Sequence, residues 1–154
     1  GATSHKGLEL SLAQQVTSAF SIDSNLTWVP ESEFKTGTNA GKRLPYAPKL
    51  VANLGLSYEL ERLALTLNMH HRGEQFGDPT NRIDIPSNAA GGIWGGLLPS
   101  YTVVDLLSQY QVSDNFTVFG TVKNITDKRY IAGLREGIYV GTERAFEISG
   151  RYRF

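Results

Sequence analysis

The sequence predicts an all-β fold, a transmembrane antiparallel up-and-down β-barrel, on three observations. Apolar and polar residues alternate with period two along almost the whole chain, the alternating runs are long, and short and long connections between them follow one another strictly. The first run sets Leu8, Leu10 and Leu12 against Glu9 and Ser11. The second sets Phe20, Ile22, Leu26 and Trp28 against Ser21, Asp23, Asn25 and Thr27, and only Ser24 breaks its apolar set. A third holds Leu50, Ala52, Leu54, Leu56 and Tyr58 opposite Asn53, Gly55, Ser57 and Glu59, and a fourth holds Leu63, Leu65, Leu67 and Met69 opposite Ala64, Thr66, Asn68 and His70. Two runs, Tyr101 to Val112 and Phe116 to Asn124, alternate less cleanly but are rich in β-branched and aromatic residues. The last places Phe146, Ile148, Gly150, Tyr152 and Phe154 on one face, with Glu147, Ser149, Arg151 and Arg153 on the other.

Seven strands of roughly 9 to 12 residues result, against about 5 to 6 in soluble domains and roughly 9 to 11 for a tilted strand that crosses a bilayer. Short links fall at Gln14–Ser18, Leu60–Arg62 and Ser113–Asn115, and long ones at Pro30–Ala47, Glu74–Ser100 and Ile125–Arg144. In an up-and-down sheet that alternation puts every long loop at one end, as in outer-membrane barrels. A soluble antiparallel sandwich shares the period. It fits less well, because the polar face carries Glu9, Asp23, Glu59, His70, Glu147, Arg151 and Arg153, which suits a watery lumen. Aromatic residues also gather near the strand ends, with Phe20, Tyr58, Tyr110, Phe116, Tyr152 and Phe154 at the short-turn end and Trp28 and Phe146 at the other. A single-chain bacterial barrel needs an even number of at least eight strands, so these seven are expected to belong to a larger barrel.

Composition narrows the function classes. The 154 residues carry 15 basic and 15 acidic side chains, which gives no electrostatic pull toward nucleic acid. The absence of cysteine removes thiolate metal sites, disulfides and cysteine nucleophiles together. His70 and His71 are neighbours on a strand and point to opposite faces, so they do not serve one ion. The run Gly91 to Gly96 lacks the lysine of a phosphate loop, and no nucleophile–base pair is marked by a motif. An enzyme is not expected, and no cofactor or metal site is implied.

The residues Gly41-Lys-Arg-Leu-Pro45-Tyr-Ala-Pro48, Lys123-Asn-Ile-Thr-Asp127-Lys-Arg-Tyr130, Gly141-Thr-Glu-Arg144 and the terminal Tyr152-Arg153-Phe154, with the opening Lys6-Gly-Leu-Glu-Leu10, resemble the C-terminal part of TonB-dependent outer-membrane receptors. The resemblance spans residues 1–154 and implies the last seven strands of a 22-stranded barrel, with the plug domain outside this chain. One departure is Thr142-Glu143, which stands where many members have a proline before the arginine. The resemblance also implies import of a ferric chelate across the outer membrane of a Gram-negative bacterium. Its energy would come from the TonB complex through regions outside this chain. The expected partners are the plug, the barrel-assembly machinery, lipopolysaccharide and membrane lipid, with a small passive or enzymatic barrel as the alternative. Gln75-Phe-Gly-Asp78 and Gly137-Ile-Tyr-Val-Gly141 look most similar to ferric dicitrate receptors.

Asn124 and Asp127, with Pro45, Pro48 and Pro99, are expected to be scaffold, shaping turns and stiffening strand starts. Phe146, Ile148, Tyr152 and Phe154 resemble the barrel-assembly signal of outer-membrane proteins and form an aromatic, lipid-facing stripe at the same time. The long loops hold arginines whose planar forks match carboxylates, so the substrate-binding candidates are Arg135, Arg82, Trp94 and Tyr139. Arg135 leads them, because the last extracellular loop contributes to the substrate site in the receptors this chain resembles. The transported ligand is expected to be an anionic ferric chelate such as ferric citrate.

Overall fold

In a computed structural model, described for residues 1–86 and 95–154, the strands are β1 (Thr3–Gln15), β2 (Phe20–Phe34), β3 (Leu50–Leu60), β4 (Leu63–Arg72), β5 (Gln75–Phe76), β6 (Leu97–Leu98), β7 (Tyr101–Ser113), β8 (Phe116–Lys123), β9 (Ile131–Arg135), β10 (Gly137–Val140) and β11 (Ala145–Tyr152). Seven of them form one sheet in the order β1-β2-β3-β4-β7-β8-β11, every pair antiparallel. These are the seven runs read from the alternation, each beside its neighbour in sequence.

The register builds two unlike faces. Leu10 pairs with Leu26 and Leu26 with Ala52, while Ile22, Leu56, Leu67, Leu106, Val122 and Phe146 form a continuous row across six strands. On the other face Asn25, Asn53 and His70 stand in line and hydrogen-bond along it, with Asn53 Nδ2 donating to Asn25 Oδ1 at 2.7 Å. The apolar face is uncovered: Leu8, Leu10 and Leu12 are each more than half exposed, and Ile148 is 83% exposed. Burial of that face requires a non-aqueous solvent, which a bilayer provides. Phe20 opposite Tyr58, and Phe116 opposite Tyr152, form a ring belt at the short-turn end. Among the described residues the buried apolar side chains are Leu98 and Leu134, both beneath the long loops rather than on the sheet.

Two expectations are corrected. The first long loop does not begin at Pro30, because β2 continues to Phe34. Between Lys6↔Glu31 and Leu8↔Trp28 the register slips, so that Val29 and Pro30 together face Gly7, a β-bulge. Proline has no N–H for the ladder, and a bulge is one of the few sheet positions that accept it. Gly7 is required opposite, since a Cβ there would lie 2.8 Å from the Trp28 carbonyl oxygen. Above the bulge Glu31 pairs with Lys6, and the two side chains join as an ion pair at 2.8 Å, with Lys35 also on Glu31. The second correction concerns the other long loops, which contain the hairpins β5/β6 and β9/β10. Strands of two to five residues are too short to show a period.

Candidate functional site

All three long connections rise from the same end of the sheet and are bonded to one another. Phe34 N–H donates to the Lys42 carbonyl and Leu44 N–H to that of Ser32, so residues 42–44 fold back along the tip of β2. Arg43 then fixes the second loop: its N–H donates to Asn81 Oδ1 at 2.6 Å and its carbonyl accepts from Asn81 Nδ2 at 2.8 Å. Its guanidinium donates to the carbonyls of Pro30 and Ala47, each at 3.1 Å.

Asp78 organises the second loop from within. Its carboxylate, 7% exposed, accepts from the Thr80 hydroxyl, from Thr80 N–H at 2.8 Å and from Gly96 N–H at 3.1 Å. Burial pushes this carboxyl up, but those three donors and the nearby charge of Arg82 outweigh it and hold the group below the ordinary aspartate range. Gly95, at φ +108°, is obligatory there, because a Cβ would come within 2.6 Å of Asp78 Oδ2.

The third loop is anchored by Asn124, 1% exposed and in the left-handed region at φ +50°. Its N–H donates to Asp105 Oδ1, its side-chain oxygen accepts from Lys128 N–H, and its Nδ2 donates to the carbonyls of Lys128 and Thr142. Tyr130 stacks on Tyr101 with centroids 4.1 Å apart and covers the bare Cα of Gly141, where any Cβ would penetrate the ring. Asn124 and Asp127 thus act as scaffold, as their residue types suggest.

From this base the hairpin β9/β10 turns at Glu136, φ +39°, with Arg135 opposite Gly137 and Gly133 opposite Tyr139. Cross-strand partners share a face, and so do residues two apart. Arg135 and Tyr139 therefore stand on one face of the hairpin with a glycine across from each, leaving an open shelf between a guanidinium and a phenol. Nothing lies within 4 Å of the position a Cβ would take on Gly137. The shelf lines a cavity of about 720 Å³ with Tyr46, Gly77 and Leu134, a size that fits a small-molecule ligand. Among the described residues Arg135 is in no ion pair, and a guanidinium carries five N–H donors.

The fold thus brings Arg135 and Tyr139 together. Arg82 is exposed and does not line this cavity, and Trp94 lies outside the described residues. Phe146, Ile148 and Tyr152 share the open face of β11, and Phe154 follows with its ring 5.1 Å from that of Tyr152. His70 and His71 diverge to Asn53 and Thr102 on opposite faces. Sequence reasoning missed Tyr46, because its bonds to Phe76 and Leu134 join segments far apart in the chain.

A family model described as "TonB dependent receptor-like, beta-barrel" matches residues 1–125. An iron-regulated outer membrane virulence protein of Vibrio cholerae serotype O1 is 29% identical over 125 residues, covering 79% of this chain and 17% of that protein. The ferrioxamine B receptor of Salmonella typhimurium is 28% identical, covering 100% of this chain and 22% of the receptor. Among solved structures, the ferric citrate transporter FecA in its unliganded form superposes with a TM-score of 0.74 at 26% identity, covering 88% of this chain and 21% of the transporter. The chain spans about a fifth of the length of these relatives.

Proposed function

Because this chain belongs to the TonB-dependent receptor β-barrel family of the outer membrane, we propose that it forms the C-terminal seven strands of a receptor that imports an anionic ferric chelate, with ferric citrate the preferred ligand class. The observation that carries the reading is the shelf, where Arg135, in no ion pair among the described residues, and Tyr139 face one cavity across Gly133 and Gly137. A guanidinium fork binds a carboxylate bidentately, and the glycines let a small chelate approach the backbone. The likeness to a ferric citrate transporter supports the same class. Arg82 and Trp94, on the neighbouring loop, are proposed as further contacts of the same ligand.

The plug and the TonB complex follow from the family, and the other partners are proposed with them. A plug domain outside this chain closes the lumen lined by Asn25, Asn53 and His70, and the TonB complex supplies the energy through that plug. The stripe of Phe146, Ile148, Tyr152 and Phe154 engages the assembly machinery, and lipopolysaccharide and membrane lipid cover the apolar face. No cofactor is proposed, and the ferric chelate is cargo.

In the intact receptor, Arg135→Ala is expected to weaken ferric citrate binding by about 1.5 to 3 kcal/mol, the worth of charged hydrogen bonds. Arg135→Lys should recover only part, because an ammonium lacks the fork. Calorimetric titration of the purified receptor checks this, and wild-type affinity in both variants would remove Arg135 from the site.

A further inference from the structure

We infer that Tyr46 is the positioning residue of the Arg135–Tyr139 hairpin, a latch through which the first long loop fixes the shelf on the third. The inference rests on the ligand reading for its consequence and on geometry alone for the latch. Tyr46 belongs to the first loop, yet its N–H donates to the Phe76 carbonyl at 2.8 Å in the second. Its hydroxyl donates to the Leu134 carbonyl and accepts from Leu134 N–H at 3.2 Å in the third. One residue therefore bonds all three loops. Both polar backbone groups of a single β9 residue meet one hydroxyl, which fixes that strand in translation and in tilt.

Three further observations agree. Leu134 is 1% exposed and immediately precedes Arg135, so its placement sets where the guanidinium begins. Tyr46 holds φ +54°, a left-handed conformation that a bulky residue keeps only where its surroundings over-determine it. Its ring, 41% exposed, also walls the cavity that Arg135 and Tyr139 line. Among the described residues hairpin β9/β10 is strand-paired only with itself, and a free two-stranded hairpin is marginal in water. Its order draws on contacts outside it, where β6 packs against β9 and the Tyr46 hydroxyl adds a polar contact to β9.

The test uses the intact receptor with Tyr46→Phe, which removes only the hydroxyl, and Tyr58→Phe on the lipid face as a folding control. Amide hydrogen exchange of residues 131–140 in the ligand-free receptor reads the latch, and ferric citrate affinity reads its consequence. Tyr46→Phe is expected to speed exchange in that segment alone and to weaken affinity about three- to tenfold. In an Arg135→Ala background the same change should alter affinity less than about twofold, because a positioned group already removed cannot be mispositioned. Unchanged exchange in Tyr46→Phe overturns the latch whatever the affinity, and equal losses with and without Arg135 overturn its positioning role. Faster exchange together with wild-type affinity in Arg135→Ala itself keeps the latch and retires the ferric citrate reading.

Discussion

Single residues at the mouth carry conformations and charges that only their neighbours make tolerable. Asp78 is the clearest, a carboxylate under the second loop held ionised by Thr80 and Gly96. Its folded value lies below the unfolded one of about 3.9, so the stability it contributes is complete above that pH and is lost as pH falls through the lowered folded value. Exchange protection of peptides containing Thr80 and Gly96, corrected for intrinsic rates, is therefore expected to hold from pH 7 to about 4 and to fall below it. Asp78→Ala should show the low protection at every pH. Asn124 and Asp127 were legible as turn residues because their chemistry is local, whereas Arg135 was singled out through the resemblance and stands as a proposal. Tyr46 was not legible, since its importance lies in bonds to Phe76 and Leu134 that no spacing in the chain announces.

At the scale of elements, the strands that cross the membrane were readable and those that do not were hidden. Period two is clearest in β1 to β4 and β11, where one face meets lipid and the other water, and it fixes register because a one-residue slip would turn their lipid-facing leucines to the lumen. The four short strands β5, β6, β9 and β10 have no such solvent contrast and leave no period. Register also grades the faces by depth. Leu65 pairs with Tyr58 in the belt, whereas Leu67 lies one step inward, between Leu56 and Leu106. Leu67→Arg is expected to cost about 2 to 4 kcal/mol, and Leu65→Arg about 1 kcal/mol or less near the interface. Thr66→Arg, on the lumen face beside Ser57, should cost still less. Denaturant unfolding of the three variants in lipid vesicles checks the order, and equal penalties would refute the facing.

For the whole molecule, the sheet ends in two open edges, β1 on one side and β11 on the other, and one face is largely apolar. Such edges template association with other strands. Residues 1–154 produced alone in mild detergent are expected to sediment as polydisperse oligomers, and joining them to the remaining strands of the receptor should give a monomer that resists heat in gels. A monodisperse, folded fragment would show that the edges need no partners. The extra residue of β2 opposite Gly7 has a separate consequence. It is a phase slip of half a period: below it the even-numbered residues from Phe20 to Trp28 meet lipid, and above it the odd-numbered Glu31 and Glu33 take the outward side. The mouth keeps its own phase, so a change of length between Phe34 and Leu50 is not transmitted to the wall. Substitutions above the slip therefore leave the lipid-facing register of residues 20–28 as it is.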